Sequence, residues 1–168
     1  GLDLDELAAL DGSGLERLLS AMEASTRRLY LHPAPTVALV NGHAIAGGCL
    51  LSQCCDVRIA VDEPKLRIGM TGVALGLIYP PFVLEVFRHR VPAPSVETVL
   101  LSAKRFSVGE ALALGLVDRV AQRSEARAIA EATLAERAAL PRRAYAAAKL
   151  ALRTAAPDPA EASKQFFA

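Results

Sequence analysis

The chain lacks any apolar run long enough to cross a bilayer. More than half of its 168 residues are apolar and mean hydropathy is positive, at +0.30. Yet no uninterrupted stretch approaches the roughly 20 residues of a membrane span. It also lacks a dominant sign of charge. Lys and Arg number 19 against 18 Asp and Glu, a net +1, so bulk charge points neither to nucleic acid nor to an acidic surface. Cysteine is scarce: Cys49, Cys54 and Cys55 share one apolar segment, with no second Cys/His cluster at zinc spacing. That excludes a zinc module, predicts no metal, and makes reduced, buried thiols the expectation. No signal-peptide pattern, 20–50-residue repeat or low-complexity linker is visible. What is left is one domain with a real core, expected in a reducing, cytoplasmic compartment.

What is there centres on Pro35-Thr36-Val37-Ala38-Leu39-Val40-Asn41-Gly42-His43-Ala44-Ile45-Ala46-Gly47-Gly48-Cys49. The β-branched run Thr36–Val40 reads as a buried strand, Asn41-Gly42 as a tight turn, and Gly47 onward as the start of a closely packed helix. Such a device brings backbone N–H groups to an anion or a polarised oxygen, because the first helical amides have no intrahelical partner. A P-loop would need Lys and Ser/Thr after Gly47, where Gly48-Cys49 stand instead; a dinucleotide fingerprint needs G-x-G-x-x-G, which is absent. An oxyanion hole needs only exposed amides and no cation. The glycines could equally serve only to let a helix pack on a sheet.

Along the chain, a helix is expected to start within Leu2–Leu10, with Asp11-Gly12-Ser13-Gly14 interrupting it. Leu15, Leu18, Leu19, Met22 and Leu29 then recur at helical spacing until His32-Pro33-Ala34-Pro35. After Gly47–Cys55, Asp56–Val61 alternates like a strand and Lys65–Ile68 makes a second short one. Helices follow over Pro81–Arg90, Ala93–Ser102 and Val108–Leu114, a strand over Leu116–Ala121, and helices over Ser124–Ala138 and Arg142–Ala155. The Arg and Glu of the last two are expected on a solvated face. His32 is expected to face solvent, and Asp56 to be structural at a strand start. The division expected is a core over 1–121 and a helical region over 122–168.

These residues resemble the enoyl-CoA hydratase/isomerase (crotonase) superfamily. The resemblance rests on Asn41-Gly42-His43-Ala44-Ile45-Ala46-Gly47-Gly48-Cys49 and on Cys55-Asp56-Val57-Arg58-Ile59-Ala60. It extends to Leu75-Gly76 followed by Pro80, to Gly109-Glu110-Ala111 with Gly115-Leu116-Val117-Asp118, and to the opening Gly1-Leu2-Asp3-Leu4. It implies an α/β, crotonase-like ββα spiral with a C-terminal helical region, incomplete at both ends in this chain, so that apolar surface would be left exposed. It further implies acyl-CoA thioesters as ligands, with coenzyme A part of the substrate and no separate cofactor. Leu2 and Gly47 amides would form the oxyanion hole, with Gly48, Gly72 and His43 lining the substrate site. A homotrimer or hexamer is implied, built through the apolar faces around Ala146, Leu150 and Leu152.

One departure is informative. The family's hydratases commonly carry two glutamates, and its isomerases the second of them; the matching positions here are Leu50 and Gly72. Neither can move a proton, so thioester binding is expected more firmly than hydration. Met70–Tyr79 is similar to the superfamily's methylmalonyl-CoA decarboxylases, which implies Thr71 and Tyr79 as holders of a substrate carboxylate. In the first oxyanion loop, however, those enzymes place a histidine where Leu2 stands. Three outcomes therefore stay open: hydratase/isomerase chemistry, decarboxylation of a malonyl-CoA-type substrate, or a non-catalytic thioester-binding subunit. Glu85 and Glu97, on expected helices, would need a rearranged pocket to act as bases.

Overall fold

The structure is a computed structural model that describes residues 4–154. A short helix α1 (Leu4–Ala8) leads into the long α2 (Gly12–Tyr30). Asp11 is the N-cap between them, its carboxylate accepting from Gly14 N–H at 2.7 Å. Gly12 to Gly14 therefore open the second helix, and the break lies at Ala9, Leu10 and Asp11, so that only Asp11 of the expected interruption falls in it. α2 ends where prolines 33 and 35 forbid continuation, and the exposed His32 follows it.

Two small parallel sheets come next. In one, β1 (Val37–Val40), β3 (Val57–Val61) and β5 (Arg119–Ala121) lie in the order β1-β3-β5. In the other, β2 (Ala44–Ile45) pairs with β4 (Ile68–Gly69) in the register Ala44↔Ile68 and Ile45↔Gly69. The helix α3 (Gly47–Cys54) carries the chain between them. Strand, short strand and helix thus repeat as a ββα turn, as the resemblance implies. The strand β3 does not alternate: all five of its residues are buried, because it is the central strand with cover on both faces. On one side α7 (Arg123–Ala138) lays Ala126, Ile129 and Ala130 on Val57, Ile59 and Val61. On the other lies the main core, where Cys49, Leu50 and Cys54 of α3 meet Tyr30, Ile68, Phe82, Val86, Phe87 and Leu116. Phe82, Val86 and Phe87 come from α4 (Pro81–Arg90), which runs on into α5 (Ala93–Leu101) and α6 (Val108–Ala113) before β5, and α8 (Arg142–Arg153) closes the described chain.

Two polar locks hold these layers in register. Arg58 of β3, 4% exposed, binds Asp118 through Nη2 at 2.5 Å and Nε at 2.9 Å, and donates to Gly115 carbonyl at 2.9 Å and to Gln53 Oε1. Gln53 in turn donates to Leu116 carbonyl at 2.9 Å. Burial opposes ionisation of Asp118, but the Arg58 bonds and charge win and hold it below its ordinary value. The second lock is Asp56. It accepts from Thr36 N–H at 2.8 Å, Tyr145 hydroxyl at 2.9 Å, Lys149 at 2.8 Å and Arg153 at 2.7 Å. The charges of α8 are therefore not on a solvated face throughout: Lys149 and Arg153 are 7% and 5% exposed. They turn inward because a carboxylate 93 and 97 positions earlier in the chain waits there, and unpaired burial of either partner would be prohibitive.

Candidate active site

The parallel pair β2–β4 puts two helix starts side by side. β2 leads through Ala46 into α3, and β4 leads through Met70 and Thr71 into a 3-10 turn, Gly72–Leu75. Both beginnings lie beyond the carboxyl ends of adjacent parallel strands, where open α/β folds place their ligands.

At the first of them the backbone is strained. Ala46 has φ 50° and ψ −111°, a region that non-glycine residues rarely occupy and that costs on the order of 1–3 kcal/mol. It is held from both sides: its N–H donates to Gly69 carbonyl at 2.9 Å and its carbonyl accepts from Leu50 N–H at 3.0 Å. The chain turns there, so that Gly47 and Gly48 begin α3. Among the described residues their amides find no acceptor in the protein. Among the described residues, a Cβ at either position would meet nothing within 4 Å. Leu2, the expected second donor, lies outside the described residues.

The second beginning is already occupied. Tyr79 folds back so that its hydroxyl accepts from Gly72 N–H at 3.1 Å. A Cβ at position 72 would lie 2.7 Å from Tyr79 Cε1 and 3.2 Å from Cζ and Oη, so the ring fills the space a side chain at 72 would need. The turn is closed by Gly76, at φ 70°, whose left-handed conformation suits glycine. Burial raises the Tyr79 phenol, the backbone amides of Val73 and Gly72 pull it down, and the nearby Cys49 thiol raises it; the sum is upward. The hydroxyl is therefore neutral at ordinary pH. Thr71, half-buried, stands before the turn and makes no capping bond with its side chain.

Other expected residues are placed less centrally. His43 is exposed, and its Nδ1 accepts from Arg67 N–H at 3.0 Å, which pins the entry to β2 against the segment before β4. Leu50 is 2% exposed and belongs to the core. Asp56, with its carboxylate fully engaged, has no free edge for proton transfer, in line with the structural role expected of it. Burial pushes the thiols of Cys49 and Cys54 up to about 12, so neither is a nucleophile. Among the described residues no group of three or more His, Cys, Asp or Glu could hold a metal ion. A cavity of about 340 Å³ does exist, but at the far end of α3, between Asp56, Arg90, Arg137, Tyr145, Lys149 and Arg153. Arg90, Lys149 and Arg153 there are spent on backbone carbonyls and on Asp56, so its charge is structural. Sequence reading gave no sign of the strained Ala46. The ring packed on Gly72 had one faint signal, a glycine and a tyrosine on either side of a Leu-Gly turn.

The chain is a parallel ββα fold in which, among the described residues, the first amides of one helix are bare beside a strand end, and comparison with known proteins narrows its class. The family model for Enoyl-CoA hydratase/isomerase matches residues 1–166, and the chain belongs to that family. It is 30% identical over 158 residues to the mitochondrial enoyl-CoA delta isomerase 1 of Mus musculus, covering 94% of this chain and 55% of that protein. With the crotonyl-CoA hydratase of Syntrophomonas wolfei it shares 37% identity over 125 residues, 74% of this chain and 43% of the relative. Among solved structures, the human mitochondrial delta3-delta2-enoyl-CoA isomerase superposes with TM-score 0.87 at 29% identity, over 99% of this chain and 63% of that one. A probable enoyl-CoA hydratase of Mycobacterium tuberculosis gives 0.84 at 32%, over 91% and 64%. The chain spans about half the length of the curated relatives it matches.

Proposed function

We propose that this chain carries the thioester-activating part of an acyl-CoA enzyme of the hydratase/isomerase type. Its substrate would be an acyl-CoA whose carbonyl oxygen, becoming an enolate oxygen, is held by the Gly47 amide, with Leu2 as the second donor. The observation that carries the reading is the bare start of α3. A strained Ala46, two glycines whose Cβ positions are free, and amides without an acceptor among the described residues make a preorganised donor that does not reorganise as charge develops. Family membership supports a thioester substrate, and the relatives whose names speak of enoyl-CoA isomerase and hydratase support this reaction class. Gly48 would let the acyl chain approach, and Gly72, Thr71, Tyr79 and His43 would border it.

No carboxylate stands at Leu50 or Gly72, so hydration of a short enoyl-CoA is expected to be slow. A second reading is favoured by Tyr79 and Thr71, two neutral hydroxyl groups at the second strand end. They suit a malonyl-CoA-type carboxylate that must be oriented without being neutralised, because a cation there would stabilise the departing group in its ground state. A non-catalytic thioester-binding subunit is the third outcome. Incubating the chain with a panel of acyl-CoAs and following mass and retention time separates the three: water addition or double-bond migration, loss of carbon dioxide, or no change. Association as a trimer or hexamer belongs to the same reading, with Leu140, Leu150 and Leu152 exposed by 52%, 49% and 78% on the last helices and their connection. Light scattering on the protein tests it, and a monomer would exclude it.

A further inference from the structure

Gly72 and Tyr79 are a matched pair. Position 72 opens the turn that follows β4, beside the start of α3, and any side chain it carried would occupy the volume where the Tyr79 ring now lies, 2.7 Å from the Cβ site. The ring is fixed there by the Gly72 N–H, which donates to the phenol oxygen at 3.1 Å. That bond uses the oxygen as an acceptor and leaves its hydrogen to be given elsewhere. Among the described residues no acceptor takes it, while the ring packs against the core that contains Cys49 and Leu50 of α3.

We infer that Tyr79 is the proton donor of this site, delivered into the side-chain position of residue 72 from seven residues downstream. The step balances simply. The phenol O–H bond breaks as a C–H bond forms at the carbon next to the thioester carbonyl, using the electron pair of the enolate C=C. The carbonyl is restored at the Gly47 amide. The phenolate left behind is stabilised by Gly72 N–H and is reprotonated by water. A neutral phenol with its oxygen held by a backbone amide suits giving a proton to an enolate better than taking one from a thioester. The site would thus be biased toward reactions that make an enolate and then quench it.

This inference rests on the thioester reading above, and its test keeps the two apart. By microscopic reversibility the same phenol, once ionised, exchanges the α-hydrogens of a bound saturated acyl-CoA. Butyryl-CoA is incubated with the chain in deuterium oxide at mildly alkaline pH, deuterium gain is read by mass, and its dissociation constant is measured by calorimetry. Tyr79→Phe keeps the ring packed on Gly72 and removes only the hydroxyl. Exchange is expected to fall at least ~10²-fold, the lower range for a positioned acid–base group, with the dissociation constant changed less than about twofold. Gly72→Ala, whose methyl displaces the ring, should lose exchange to the same degree. Equal exchange in wild type and Tyr79→Phe, or no exchange by a wild type that binds butyryl-CoA, overturns the role of Tyr79 and leaves thioester binding standing. No binding by the wild type overturns both.

Discussion

The two ends of α3 are built on opposite principles. At its C-terminus every carbonyl that burial would orphan is answered. Arg90 donates to Cys55 and Asp56 at 2.9 Å and to Gln53 at 3.3 Å, and Arg153 donates to Cys54 at 2.9 Å and to Tyr30. Cations there also complement the negative end of the helix dipole. At its N-terminus the amides of Gly47 and Gly48 have no acceptor among the described residues, behind an alanine forced into a rare conformation. The same eight-residue helix is saturated where it is structural and unsatisfied where it is available. The charged cavity lies at the saturated end, where its cations are already spent. What separates a site from a scaffold is unspent hydrogen-bonding capacity, not the density of charge.

The comparison breaks most visibly at Asp56. Replacing it by Ala strands Lys149 and Arg153 as buried, unpaired cations, and removing one partner of a buried ion pair costs about 3–5 kcal/mol. Urea denaturation should show that loss, or no folded protein at all, while Asp62→Ala on the surface changes little. Acid makes the same point. Burial opposes the Asp56 charge, but the Lys149 bond, the Thr36 amide and the charges of Lys149 and Arg153 prevail, so its value is lowered from 3.8. A depressed carboxylate contributes stability that is present above its unfolded value and is lost as pH falls through the folded one. Stability carried by Asp56 should therefore hold near neutrality and decline only below about pH 4, a slope that is absent in Asp56→Asn. A variant as acid-sensitive as the wild type would remove Asp56 from the account.

At the opposite end the expected loss is functional and leaves the fold intact. Gly47→Leu adds a side chain where nothing lies within 4 Å, so the melting temperature should scarcely move. The added side chain covers the amide, and losing one oxyanion donor typically costs ~10²–10³ in rate. Thioester turnover, or the α-hydrogen exchange described above, should drop by that factor. Undiminished turnover would show that the bare amides serve packing alone.

Next in size is Arg90→Ala, at the clamped end. It takes a donor from three carbonyls at once, each costing about 1–3 kcal/mol if left buried without water; partial hydration from the adjoining cavity should limit the total to roughly 3 kcal/mol. Amide exchange should then speed up in the last turn of α3 and not in its first. If both turns respond equally, the two ends are not independent.

Much of the fold was legible from local signals. The helix over Pro81–Arg90 falls at the expected bounds, and the break at Asn41-Gly42 and the start at Gly47 follow from turn chemistry. The motifs Cys55–Ala60 and Gly115–Asp118 turn out to meet each other through Arg58 and Asp118, which gives that part of the resemblance a physical meaning. The misses share a cause. Lys149 and Arg153 look like surface residues of an Ala-rich helix until a distant carboxylate is brought to them. The two-residue strands β2 and β4 carry too few residues to show a period. The Tyr79 ring over Gly72 depends on a backbone turn, and no spacing rule reads that. Local physics writes the elements; what lies beneath them is decided by contacts far apart in sequence.

The smallest expected effect sharpens the second strand end. Gly72→Ala introduces a methyl into the space of the Tyr79 ring, and because that ring is the mobile end of a side chain the strain should fall at the low end of the overpacking range, about 1 kcal/mol. In a Tyr79→Ala background the same substitution meets an empty place and should be neutral or slightly stabilising, since alanine restricts the unfolded chain more than glycine does. The coupling read from the four denaturation midpoints should thus be about 1 kcal/mol and of rescuing sign. The same cycle explains why a glutamate cannot simply be restored at position 72: without Tyr79→Ala it would collide with the ring, and hydration of crotonyl-CoA should stay unchanged. A Gly72→Glu variant that gained hydratase activity with Tyr79 in place would show that the ring does not hold that position, and additive midpoints would say the same.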